Sequence, residues 1–288
     1  MHNTFRRVSY VFLCMVPFLA IVFAAVRALR VPGFYQAIGG VLFAAIVMAA
    51  WMLGARAIGA GAEGEQRPAL AGVFLLVPFA LVSLLWVGLG TPWGGATPPE
   101  NVMRYVVLLV SSIAVASGFV VLKDALSEAG ERCYSTLGFA ATILASTAYL
   151  IWMSLAIGAY VMRMRDGQIP PAIVSLYEVF DILLFVACVL TYLATAAFAA
   201  SFGRTRWLGR GATRAYVAAN LIALLFLVMR GLSFPDPAAL STPWYTRPGF
   251  VAGIPAIPFI MPFLLGVVLL RRAGDKQPSS SERFAAAN

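Results

Sequence analysis

Eight long apolar runs, at residues 10–27, 38–58, 70–89, 102–121, 137–162, 173–202, 216–233 and 250–270, leave this chain few ways to fold. A run of about 20 apolar residues spans the hydrocarbon core as a helix, and a backbone group left unpaired there costs several kcal/mol. Each run is therefore expected to be helical. Composition agrees: 61% of the 288 residues are hydrophobic, 11% are charged and the mean hydropathy is +0.87, against about 25% charged in a soluble domain. The expected fold is an all-α, polytopic membrane bundle of about eight helices. It occupies residues 1–272 as one domain, and residues 273–288 form a polar, disordered tail. Arg6 and Arg7 ahead of the first run resemble a signal sequence, but no A-x-A-like site closes the run and Arg27 and Arg30 follow it, so it is read as a span.

Basic residues set the expected orientation. Assigned to alternate sides of eight spans, 14 lie on the side that holds both termini and 7 on the other. The positive-inside rule then places both termini in the cytoplasm. The excess of 19 arginines over two lysines suggests a GC-rich bacterial genome and hence a bacterial inner membrane. The net charge of +9 is mostly a product of this topology. Residues 203–214, GRTRWLGRGATR, read as a loop touching anionic lipid headgroups. With one aromatic among its arginines the segment is a poor platform for nucleic acid, and none is expected. The lipid bilayer is the evident partner, and the sequence names no protein partner.

Much chemistry is excluded. The single histidine, His2, sits at the N-terminus, and Cys14, Cys133 and Cys188 form no C-x-x-C pair. No haem-ligating histidine pair, H-E-x-x-H zinc site or Ser-His-Asp triad can be assembled, and no metal or cofactor is expected. No phosphate-binding glycine loop occurs either, and the catalytic residues, if there are any, carry no recognisable motif. The first and third runs share a Val-Phe-Leu start and a central proline, with no counterpart in the second half of the chain, so no internal repeat is read.

Loops and prolines add detail. Residues 91–100 and 234–248 combine Pro and Gly with Trp93, Trp244 and Tyr245, as suits chain reversal at the headgroup level. The last run carries Pro255, Pro258 and Pro262. Each removes a backbone donor and disturbs the preceding turn, so a kinked or unwound outer half is expected. Freed carbonyls at that depth must be buried in protein or line a cavity, as in the broken helices of transporters.

Of the twelve acidic residues, only Glu178 and Asp181 fall inside a run. A charge at bilayer depth costs at least about 2.5–3.5 kcal/mol, so both must face protein or water. At 100° per residue, Glu178, Asp181, Phe185, Cys188, Tyr192 and Thr195 share about a third of the sixth helix's circumference. Tyr149 on the fifth run and Asn220 on the seventh are polar residues able to meet this stripe. Arg230, near the outer end of the seventh run, is expected to pair with Glu178, leaving the deeper Asp181 free to hold a proton. The candidate ligand-binding or proton-coupling residues are thus Glu178, Asp181, Arg230, Tyr192, Tyr149 and Asn220. Three functions fit: a transporter or channel-like protein for a small solute or lipid, a membrane enzyme acting on a lipid or isoprenoid, and a non-catalytic assembly subunit.

Overall fold

The computed structural model describes residues 2–25, 33–60, 63–90, 95–231 and 251–275, with the side chains at 177, 178 and 230 among those left out. All of it is helix and connecting turn, with no strand among the described residues. Seven helices are long and apolar enough to cross a membrane: Thr4–Ala24, Phe34–Ala55, Gly64–Trp86, Pro98–Glu128, Cys133–Asp166, Pro171–Arg204 and Arg210–Met229. The chain is an all-α membrane-type bundle, and the first seven of its eight apolar runs coincide with these helices in order, whereas the eighth, 250–270, holds regular helix only from Ile260 and is not among the seven.

The elements are α1 (His2–Ala25), α2 (Phe34–Ala50), the short α3 (Ala57–Ala60), α4 (Glu63–Leu81), α5 (Pro98–Glu128), α6 (Cys133–Asp166), the one-turn α7 (Pro171–Val174), α8 (Tyr177–Arg204), α9 (Arg210–Gly231) and α10 (Ile260–Asp275). Helices α1, α5, α6 and α10 outrun their apolar segments. Hydropathy marks only the length solvated by lipid, whereas backbone hydrogen bonding continues into the polar flanks. The expected tail shortens accordingly: residues 273–275 are helical, with Ala273 and Gly274 buried. The remainder of that tail, like the loop at 234–248 with Trp244 and Tyr245, and Trp93, lies outside the described residues.

The start of α5 follows a sequence signature. Thr97 caps the helix and accepts the Glu100 N–H at 3.4 Å, while the Glu100 carboxylate takes the Thr97 N–H at 2.7 Å. Prolines fill the first two helical positions, where their missing N–H groups have no intrahelical partner anyway. The same carboxylate also accepts the Gly90 N–H at 3.1 Å, fastening the preceding turn. One turn further on, Arg104 is buried, bonded to Asn101 Oδ1 at 3.0 Å and to the Gly90 carbonyl, with Trp86 beneath its guanidinium.

From α4 onward, consecutive long helices pack side by side, and α10 then returns to lie against α4 and the turn at Trp51–Ala55. Helix α10 is the buried heart of the bundle: Phe263, Leu265, Val267, Leu269 and Leu270 are fully buried, as expected of a helix apolar all round. Close approach is what admits it. A Cβ on Gly266 would lie 2.9 Å from the Gly72 carbonyl oxygen, and one on Gly54 or Gly274 would fall on the Leu270 or Leu53 carbonyl. The chain bulges into π turns at Trp51–Ala55 and Val82–Trp86. At the second, the Ser83 hydroxyl bonds the Phe79 carbonyl at 2.7 Å. Arg6 ties α1 to the end of α10 through Asp275 at 2.8 Å and the Arg271 carbonyl at 3.1 Å, so the two ends of the described chain lie at one end of the bundle.

Glu131, in the turn between α5 and α6, is 5% exposed. Its carboxylate accepts the N–H groups of Tyr134 and Ser135 at 2.9 and 3.0 Å. Burial pushes its pKa up, but hydrogen bonds from Ser201 and from those two N–H groups outweigh it and hold the group below its ordinary 4.5. Ser201 belongs to α8, where its hydroxyl donates to the Ala197 carbonyl at 3.2 Å, so this acid lies beside three helices.

Two predictions follow from this packing. Gly54→Ala and Gly274→Ala should each cost at least the 1–3 kcal/mol typical of overpacking, seen as lost monodisperse yield and a lower Tm in detergent. Gly40→Ala, with open space around its Cβ position, should be neutral. For Glu131 the lowered folded pKa means that its contribution is complete above the ordinary value and disappears as pH falls through the lowered one. The Tm gap between the native protein and Glu131→Gln should therefore be widest near neutrality and close as the pH falls to 4.5 and below.

Candidate functional site

Proline chemistry interrupts the last span. Residues Val251–Gly253 and Ile257–Phe259 form 3-10 turns, and regular α-helix begins only at Ile260. Pro255 lies between the two turns, Pro258 occupies the second, and Pro262 the first turn of α10, where an N–H would have no helical partner. All three rings are buried. The expected unwinding is therefore present, over residues 251–259.

Its depth follows from its partner. The Tyr192 hydroxyl donates to the Ala252 carbonyl at 3.0 Å. Tyr192 stands fifteen residues from Tyr177 and twelve from Arg204 along α8, about 22 and 18 Å from the two ends of the helix. Non-α backbone thus faces the middle of a span. A carbonyl freed from its helix and packed against another needs a donor from outside, and the phenol supplies what the broken helix cannot.

One turn before Tyr192, Cys188 is fully buried and its sulfur lies 3.4 Å from the Tyr149 hydroxyl of α6. The Tyr149 ring packs on Phe259, centroids 5.2 Å apart. Tyr149, Cys188, Tyr192 and residues 252–259 therefore make one buried cluster in which two phenols and a thiol meet interrupted backbone. Further along α8 the stripe closes on itself, since Thr191 and Thr195 donate to the carbonyls of Ala187 and Thr191 at 2.8 Å each. All three cysteines are free. Among the described residues no group of three His, Cys, Asp or Glu side chains could hold a metal ion.

The other candidates lie elsewhere. A break at Ser175 and Leu176 separates α7 from α8, so Glu178 and Asp181 are the second and fifth residues of α8, within the apolar stretch Pro171–Arg204. There the positive end of the helix dipole favours a carboxylate. The unbroken sixth run hid this boundary. Asp181 is exposed and has an interaction partner. The side chains of Glu178 and Arg230, and with them the expected ion pair, lie outside the described residues. Asn220 is buried on α9, donating to the Tyr216 carbonyl at 2.8 Å, and among the described residues its Oδ1 has no hydrogen-bond partner.

Sequence reasoning took Cys188 only as a stripe member and passed over the hydrogen-bonding roles of Arg104 and Glu131. The T-x-x-E spacing of Thr97 and Glu100 signalled the cap beside Arg104. No local pattern announced Glu131, whose burial is tertiary.

Together these features define a class, an all-α bundle of membrane-type helices whose last apolar run is interrupted at its prolines. No protein-family model, curated protein or solved structure matches the chain.

Removing the Tyr192 hydroxyl should expose the importance of this cluster. Tyr192→Phe leaves the Ala252 carbonyl buried and unpaired and should cost about 1–3 kcal/mol. Tyr149→Phe loses only a weak bond to sulfur and should cost less. Thermal unfolding of both variants in one detergent makes the comparison, and equal losses would contradict it.

Proposed function

We propose that this protein is a transporter or channel-like membrane protein that handles a small solute or lipid where α6 and α8 meet the interrupted segment 251–259. The observation that carries the reading is non-α backbone packed against the middle of α8, with a tyrosine hydroxyl on its carbonyl. Irregular backbone at that depth is held only where protein buries it or a polar cavity needs it, and broken helices build ligand sites in transporters for this reason. Tyr149 and Tyr192 are the ligand-facing groups in this reading. Glu178 and Asp181, at the outer start of α8, supply the acids of the entrance. Arg230 is the counter-charge of Glu178, and Asp181 the group that exchanges a proton.

The orientation belongs to the same proposal. The end of the bundle carrying Arg6, Arg67, Arg204–Arg214 and Arg271 is placed in the cytoplasm by its excess of basic residues, and the membrane is a bacterial inner membrane.

A deletion strain and its complemented parent, compared over a panel of labelled solutes and lipids, should differ in uptake or efflux of at least one of them. In the complemented strain, Pro258→Ala with Pro262→Ala should continue α10 outward and reduce that flux while folded yield is kept. Unchanged flux across the panel would sink the transport reading. Turnover of a lipid or isoprenoid substrate by the purified protein, lost in Glu178→Gln, would replace it with a membrane enzyme.

A further inference from the structure

Among the described residues, three grooves at the arginine-rich end of the bundle differ in charge. One, of about 530 Å³, sets Arg67 and Lys123 beside Asp124 and Glu128, and both bases are paired, Arg67 with Glu128 and Lys123 with Asp124. Another, of about 380 Å³, holds Arg271 and Arg272 with Asp275, to which Arg6 and Arg271 are paired. The third, of about 500 Å³, is lined by Tyr134, Arg204, Arg210, Thr213 and Arg214, together with Ala200 and Gly203 and no carboxylate. None of its three arginines forms an ion pair among the described residues.

Three guanidinium groups on one groove repel each other unless an anion sits among them, and a phosphate group, with several acceptor oxygens, suits their forked donors. The site is partly organised already. The Arg204 guanidinium rests over the Tyr134 ring, 5.4 Å from its centroid, and the Thr213 hydroxyl in the same wall is buried with no hydrogen-bond partner. Glu131 is the acid next to this groove, through Tyr134. It is buried, and its carboxylate is taken up by the N–H groups of Tyr134 and Ser135.

Position selects the source of the phosphate. Arg204 ends α8 and Arg210 begins α9, so the groove lies where the apolar spans stop, at the level of lipid headgroups. About three to four turns along α9, Leu221, Ile222 and Leu225 are exposed, an apolar surface on which acyl chains can lie. We propose that this groove binds the phosphate of an anionic phospholipid, with the acyl chains running along α9. The proposal is independent of the transport reading.

Native mass spectrometry of the full chain in a neutral detergent, with phosphatidylglycerol or phosphatidylcholine of the same chain length, tests it. One phosphatidylglycerol should be retained in preference. The triple variant Arg204→Gln, Arg210→Gln, Arg214→Gln should bind it at least about tenfold more weakly, since each arginine near an anionic surface is worth roughly fivefold. A control with the same loss of charge, Arg7→Gln, Arg67→Gln, Arg271→Gln, should keep the binding. Equal loss in both variants, or equal retention of the two lipids by the native protein, overturns the proposal. Millimolar inorganic phosphate should not displace the lipid; displacement would make free phosphate the occupant and overturn the lipid assignment. If the triple variant does not fold, Arg210→Gln alone decides, with about fivefold weaker binding expected and unchanged binding counting against the site.

Discussion

Burial of α10 on every side is the constraint on which the rest of the bundle depends. Lipid tails are as apolar as leucine, so no hydrophobic force pushes one span against another, and association rests on close packing and hydrogen bonds. Glycine makes that packing possible: Gly72 and Gly266 bring α4 and α10 together, and Gly54 and Gly274 seat α10 against the π turn that ends α2. Phe79 and Phe263 then meet edge to face at 5.3 Å across α4 and α10. The outer helices close around this centre, and Arg6 fastens the first of them to Asp275 at the last one's end.

The same central helix is the one that prolines interrupt. A helix in the middle of the bundle can lose its regular backbone because neighbours on every side replace the lost hydrogen bonds, whereas a lipid-facing helix could not. Tyr192 does this for Ala252, and the Tyr149–Cys188 contact holds α6 and α8 together beside it. Structural burial and a ligand site are therefore not competing descriptions of this region, because the protein that protects the broken backbone is also what would shape a site around it.

At the arginine-rich end the charges divide into those that hold helices and those left open. Glu131, accepting the N–H groups of Tyr134 and Ser135, holds the turn between α5 and the start of α6. Arg67 with Glu128 links α4 to α5. Among the described residues the arginines around the α8–α9 turn have no ion-pair partner, and their positive charge is open to an anion.

Much of the fold was legible in sequence because its causes are local. A long apolar run forces a helix, prolines at 255, 258 and 262 force a break, and T-x-x-E with two prolines marks the start of α5, although that last signal needed looking for. Part of the candidate site was legible too, since helical periodicity alone put Cys188, Tyr192 and Thr195 on one face of α8, and all three are buried there. Periodicity could not say that Glu178 and Asp181 belong to the first turns of α8, because the break at Ser175 and Leu176 interrupts an unbroken apolar run. Nor could it say which helix meets the stripe. That Tyr149 reaches Cys188 and that Tyr192 reaches a carbonyl sixty residues away in sequence depend on how the helices cross. The sequence by itself determined the helices, their apolar extent and the broken last span, because backbone in lipid has few alternatives. Only the tertiary structure decided that the broken span sits at the centre, since that choice depends on the few glycines whose missing side chains let two backbones touch.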